Sequence, residues 1–133
     1  MIELEVKILD EKDLIFVSDL RNLGISRSVA LTLVYLMNVK EASSREIEIG
    51  TGLRQPEISM AIGFMDENQW ITGRMKRINK KGRPLKIYSF SVKMETVYEY
   101  YEQAAQQNYE DSVQRIGQLK KLINQQIDKK ATK

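Results

Sequence analysis

The 133-residue chain contains no cysteine and no histidine. The first absence excludes a disulfide framework, and the two together remove nearly every structural zinc site and most nucleophile or acid-base pairs. An enzyme would have to rest on carboxylates. The candidates are Glu46 with Glu48, Glu57, and Asp66 with Glu67, and each has a simpler role as a capping residue, a dipole complement or part of a solvated face. The sequence therefore predicts no enzyme, no metal and no cofactor. No apolar run approaches the roughly 18 residues that cross a bilayer, and no secretory leader is present, so a cytoplasmic protein with no membrane partner is expected. A chain of this length is expected to be one domain plus an appendage, without a separate ligand-sensing domain of ordinary size. The sequence names no small-molecule effector.

Acidic residues are missing from one long stretch. Between Asn68 and Met94 there is none, while eight basic residues occur there: Arg74, Lys76, Arg77, Lys80, Lys81, Arg83, Lys86 and Lys93. Elsewhere the balance is acidic or neutral. Residues 1 to 24 hold six acids and three bases, and residues 25 to 67 hold six acids and four bases. A positive field this local, in a chain of net charge +3, points to an anionic partner. The basic residues fall on two strand-like runs and the tip between them. Trp70 to Ile78 reads as one strand and Ile87 to Val92 as the other, with Tyr88, Phe90 and Val92 on one face at period two. In the tip, Asn79 to Leu85, Gly82 supplies the turn and Pro84 blocks ladder pairing. The pattern is a basic β-hairpin.

A helix-turn-helix pattern precedes the hairpin. Ser43 followed by Glu46 forms a capping box, so a short helix is expected from about Ser44 to Gly50. Gly50-Thr51-Gly52 breaks it, because both glycines tolerate positive φ and have low helix propensity. A second helix follows from Arg54, with Pro56 in its first turn and Glu57 complementing the positive end of its dipole. Ile58, Ala61, Ile62 and Met65 form its buried stripe at helical spacing. Gln55, Ser59, Met60, Gly63 and Asp66 lie on the opposite face, which Phe64 is expected to extend.

These landmarks resemble, in the same order, the winged-helix domain of archaeal TrmB-like and MarR-like transcriptional regulators. The resemblance runs from Gly24 to Val92. It is carried by Leu23-Gly24-Ile25-Ser26 before the first helix, Ser44-Arg45-Glu46-Ile47 in the second, and Thr51 to Ser59 entering the recognition helix. Trp70-Ile71 opens the wing, and Lys81-Gly82-Arg83-Pro84-Leu85-Lys86-Ile87-Tyr88 returns from it. Family members often carry Arg or Lys on the outer face of the recognition helix, where this chain has Met60, Gly63 and Phe64. The wing should then carry more of the affinity.

The flanking segments have their own patterns. Ile2 to Ile8 alternates apolar and polar residues and reads as a short strand. A helix is expected from Asp10 to Leu23, capped by Asp10, with Phe16, Val17, Leu20 and Leu23 inward. It either pads the winged-helix core or also packs on a second subunit. The next helix, Ser26 to Lys40, places Val29, Ala30, Leu33, Val34, Leu36 and Met37 in the core. From about Lys93 to Lys130 no proline interrupts a helical pattern with apolar positions Met94, Val97, Tyr101, Ala105, Tyr109, Val113, Ile116, Leu119, Ile123 and Ile127. The spacing departs from a strict heptad and resembles a coiled coil with stutters. A partner helix from a symmetric dimer is expected, the alternative being a bend near Gly117 that folds the helix back on its own domain.

The sequence thus predicts a mainly α fold with a small β-wing. Its parts are an N-terminal strand and helix extension (1–24), a winged helix-turn-helix domain (25–92) and a long C-terminal dimerisation helix (93–133). The expected activity is sequence-specific binding of double-stranded DNA by a nucleoid-associated homodimeric transcriptional regulator. Arg54, Gln55, Ser59 and Met60 would face the major groove, and Arg74, Lys76, Arg77, Lys80, Lys81, Arg83 and Lys86 would contact phosphate or the minor groove. Gly82-Arg83-Pro84 is similar to the core of an AT-hook, whose arginine enters narrow A·T-rich minor groove. Two alternatives stay open: an architectural chromosome-associated protein using the same wing, and a basal-factor-like winged-helix module that recruits another protein.

Overall fold

The computed structural model of the chain describes residues 6–77 and 82–131. Along these the order is α1 (Glu11–Asn22), α2 (Arg27–Asn38), β1 (Ala42–Ser43), α3 (Ser44–Thr51), α4 (Gln55–Glu67), β2 (Ile71–Lys76), β3 (Leu85–Phe90) and α5 (Met94–Ala131). The fold is mainly helical with a small antiparallel sheet and a long C-terminal helix, and the element order through β3 is that of a winged helix. The chain divides into two compact units, Met1–Lys93 and Met94–Lys133.

In the first unit α2 is the centre. Eight consecutive residues, Val29 to Leu36, are buried, because α2 packs against α1, α3 and α4 and has no face left for water. Met37 is 40% exposed, one position past that run, so its expected place in the core is corrected. The α1 helix starts on the expected cap: Asp10 Oδ1 accepts from the Asp13 N–H at 2.9 Å, and Asp13 Oδ2 from the Asp10 N–H at 3.0 Å. Together with Asn38 and Lys7, that backbone donor holds the Asp13 carboxyl below the usual carboxylate range. Val17 and Leu20 are buried, but Leu23 is 72% exposed, because the helix ends there. The Gly24 N–H turns back to Arg21 O at 2.9 Å and the Ile25 N–H to Leu20 O at 3.3 Å, a Schellman closure that buries Ile25 in place of Leu23. Residues 2–5 of the expected N-terminal strand lie outside the described residues, and Val6 to Leu9 form no strand. The Leu9 N–H instead donates to Gly50 O at 3.1 Å.

Gly50 has a different role from the one its position suggested. It lies inside α3 and is buried. A Cβ there would sit 2.1 Å from Tyr35 Cε2 and 2.5 Å from the Lys7 carbonyl oxygen, so this glycine allows close packing. Gly52, with φ 78°, is the residue that ends α3.

The sheet has the order β1-β3-β2, all antiparallel. β1 was not expected, since two residues carry no periodicity. It pairs Ala42 with Tyr88 and Ser43 with Ile87. β2 is shorter than the run read from sequence, and β3 has the expected length but is shifted two residues earlier, to Leu85–Phe90. Ile87 is buried, whereas Tyr88 and Phe90 are half-buried and Val92 falls beyond the strand. α4 ends in a second Schellman closure, the Gln69 N–H donating to Asp66 O and the Trp70 N–H to Met65 O, each at 2.9 Å. Gln69 takes φ 61° to make it, and Trp70 then packs edge-on to Phe64 at 5.5 Å. Phe64 therefore belongs to this contact, not to the outer face of α4. Ile62, expected in the buried stripe, is half-buried.

The second unit is α5 alone, 38 residues long, or roughly 57 Å at 1.5 Å per residue. It runs as one continuous helix through Gly117. Every residue from Ala105 to Ala131 is exposed.

Candidate nucleic-acid interface

The turn between α3 and α4 is fixed by its own side chains. Ser43 and Glu46 form the expected capping box, with both reciprocal bonds at 3.2 Å. At the other end of α3, the Thr51 hydroxyl donates to Ile47 O at 2.6 Å and accepts from the Leu53 N–H at 3.1 Å. Leu53 is fully buried, so the chain enters α4 from an anchored point. Glu57 then accepts from the Arg54 N–H at 3.2 Å and from Arg27 at 3.4 Å. One carboxylate thus caps α4 and ties its first turn to the start of α2.

Arg54, Gln55, Ser59 and Met60 are all exposed along α4, with Met60 74% exposed. Gln55 is not free, however. Its amide Nε2 donates to the Glu48 carboxylate and, at 3.4 Å, to Ser44 O. A base would have to displace these partners, which the sequence reading did not foresee. The spacing of Glu48 and Gln55 in the chain gives no hint of the pair; the angle between α3 and α4 creates it.

On the hairpin, period-two alternation sorts the cations onto opposite faces. The register pairs Gly73 with Tyr88 and Met75 with Lys86, and pairs Arg74 with Ile87 and Lys76 with Leu85. Lys86 and Tyr88 therefore share one face with Gly73, and Arg74 and Lys76 share the other. The Lys86 stem crosses the strand over Gly73, where a Cβ would meet Lys86 Cε at 2.7 Å, and its ammonium lies 5.7 Å from the centre of the Tyr88 ring. Lys86, Tyr88 and Gly73 then form one wall of a cleft of about 370 Å³ whose other wall is α4, through Gln55, Ser59, Ile62, Gly63 and Asp66. The wing and the recognition helix meet in this cleft.

Arg74 and Lys76 are engaged elsewhere. Arg74 pairs with Glu41 Oε2, and Lys76 Nζ lies 2.6 Å from Glu41 Oε1. The Lys76 hydrogen bond first and the Arg74 bond second hold the Glu41 carboxyl below its ordinary range. Arg74 and Lys76 therefore lie on the face opposite Lys86 and are paired with Glu41, an arrangement the sequence did not indicate. Arg77 and Arg83 are exposed. Lys80 and Lys81, the expected contacts at the hairpin tip, lie outside the described residues.

Sequence reasoning did not name Glu41 or Gly73, and it gave Glu48 and Tyr88 other roles. Only Gly73 carried a signal, since a glycine inside a strand marks a close approach by something else. Glu41 meets cations 33 and 35 residues away, a pairing that exists only once β1 is joined to β3. Among the described residues no group of three His, Cys, Asp or Glu could hold a metal ion, and no helix is long and apolar enough to cross a membrane.

No family model matches the chain, and no curated protein matches it. Among solved structures, Pex from Synechococcus sp. (strain PCC 7942) is 18% identical with a TM-score of 0.43, over 66% of this chain and 96% of that one. The circadian clock associated protein Pex from anabaena is 20% identical with a TM-score of 0.43, over 72% of this chain and 96% of that one. Likeness this distant decides nothing about function.

Proposed function

We propose that this chain is a double-stranded DNA-binding transcriptional regulator, nucleoid-associated and homodimeric through α5, of the TrmB-like and MarR-like kind its motifs resemble. The observation that carries the reading is the cleft in which Lys86 of the wing faces Gln55 and Ser59 of α4. A helix-turn-helix alone is a common packing motif, but the Lys86 ammonium and the Ser59 hydroxyl on one open cleft, with Gln55 once released from Glu48, suit a phosphate-lined groove in which the Asp66 carboxylate at the same cleft would face away from phosphate. The exposed Arg83 and Arg77 extend that positive surface along the hairpin.

Specificity would come from few bases. Ser59, Arg54 and, after release from Glu48, Gln55 are the available readers, while Met60 offers only apolar contact with a thymine methyl. A short, degenerate half-site with A·T-rich flanks under the wing follows. The same shortage of readers favours the architectural alternative, in which the wing binds without sequence preference.

One experiment separates the readings. Duplexes selected from a random pool by full-length protein at physiological salt should converge on a short inverted repeat, and Gln55→Ala should relax preference at one position per half-site. Binding without convergence would replace the regulator by the architectural protein. No retention of duplex at low salt would overturn DNA binding altogether.

A further inference from the structure

The exposed apolar positions of α5 form a stripe that reads the same in both directions. From Ile116 toward the N-terminus they are Val113, Tyr109 and Ala105, at steps of three, four and four; toward the C-terminus they are Leu119, Ile123 and Ile127, at the same steps. Leu122, also exposed, widens the stripe at the C-terminal end. Each run of three steps covers 11 residues, a period of about 3.67 per turn, so the stripe stays nearly in line with a straight helix.

A palindromic stripe has a specific geometric meaning. When two copies of one helix lie antiparallel about a two-fold axis, a residue n positions before the axis sits level with the residue n positions after it on the other copy. With the axis at Ile116, Val113 is level with the partner's Leu119, Tyr109 with the partner's Ile123, and Ala105 with the partner's Ile127. Each of these levels is apolar on both sides, while Leu122 falls level with the partner's Glu110 at the edge of the stripe.

The charges of α5 agree with this direction. Residues 94 to 113 hold five acidic and no basic residues, while residues 114 to 131 hold five basic and one acidic. An antiparallel pair lays the acidic half of one helix along the basic half of the other; a parallel pair would set like beside like along both halves. The helix's own dipole does not account for the segregation, because that effect fades within the first and last turns. Glu110, Asp111 and Arg115 sit in the middle of α5.

We infer that α5 pairs with α5 of a second copy of this chain, antiparallel, with the two-fold axis at Ile116. This deepens the homodimer of the proposed function and rests on that part of it. The absence of cysteine makes the test direct. Ile116→Cys, oxidised in full-length protein, should shift from 15.4 kDa to twice that mass on a non-reducing gel, because the residue meets itself at the axis. Tyr109→Cys alone should not shift, since its two copies would be 14 positions apart along the axis, roughly 21 Å, beyond the ~7 Å reach of a disulfide. A mixture of Tyr109→Cys and Ile123→Cys chains should cross-link to each other. Cross-linking of every single-cysteine chain to itself means a parallel pair and overturns the inference, and so does an absence of cross-linking at all these positions. Duplex binding by the unmodified chain is measured alongside. Its persistence without cross-links removes the antiparallel pair and leaves the DNA reading, whereas its loss with cross-links intact does the reverse.

Discussion

On the proposed reading, cations of the hairpin that are free of Glu41 should contribute more to a polyanion contact than the two it holds, and paired double substitutions measure the difference. Arg83→Ala with Lys86→Ala removes two exposed cations, one of which lines the cleft beside α4. Arg74→Ala with Lys76→Ala removes the same formal charge from the opposite face, where Glu41 already binds both side chains. If charge alone mattered, the two variants would behave identically. The geometry says otherwise: each phosphate contact contributes about 0.9 to the slope of log K against log salt, so the first pair should flatten that slope by about 1.8 and the second by close to zero. Between 50 and 200 mM salt a slope difference of about 1.8 corresponds to about a twelvefold difference in how much affinity is lost, well within reach of fluorescence anisotropy on a labelled duplex. The far-face variant also leaves Glu41 as an unpaired negative charge, which adds to the repulsion of phosphate at low salt without changing the number of contacts. A slope reduced as much by the Arg74 and Lys76 pair as by the Arg83 and Lys86 pair would show that phosphate reaches both faces, and the assignment of the cleft as the binding surface would fall.

Gly50→Ala should lower the stability by about 1 to 3 kcal/mol, read as a lower midpoint of urea unfolding, since its Cβ meets the Tyr35 ring and the Lys7 carbonyl, and backbone cannot turn aside as a flexible side chain can; an unchanged midpoint would mean that the α3–α2 contact relaxes freely. Gly63→Ala should act in opposite directions on stability and binding. Nothing lies within 4 Å of its Cβ, so the helix gains about 1 kcal/mol, while the added methyl narrows the cleft and weakens duplex affinity; equal affinity would place the bound groove away from this stretch of α4.

Much of the scaffold is dictated locally. The capping box of Ser43 and Glu46, the cap at Asp10, the break at Gly52 and the start of α4 at Pro56 are formed by residues within about one turn of each other, so their chemistry is present in the sequence before any tertiary contact exists. The length of α5 was legible for the same reason, since an uninterrupted helical pattern without proline needs no other element to define it. Errors fall where a neighbour distant in sequence decides, as at Gly50, or where helical periodicity overruns a local turn, as at Leu23. Gly50 reads as a helix breaker until Tyr35 and Lys7 are placed against it, and Leu23 reads as inward until the Schellman turn substitutes Ile25.

By itself, the sequence determined the helix-turn-helix with its caps, the length of α5, and that positive charge is gathered on one hairpin. Tertiary structure alone decided which of those charges are available. Strand register put Lys86 on the face that looks at α4 and Arg74 and Lys76 on the other, and the pairing of β1 with β3 accompanies the arrival of Glu41 at those two cations. The packing of α3 on α4 similarly occupied Gln55 with Glu48. Local propensity is a property of a few consecutive residues, whereas the availability of a charge depends on what the fold brings within hydrogen-bonding distance of it, and that distance is unrelated to separation along the chain.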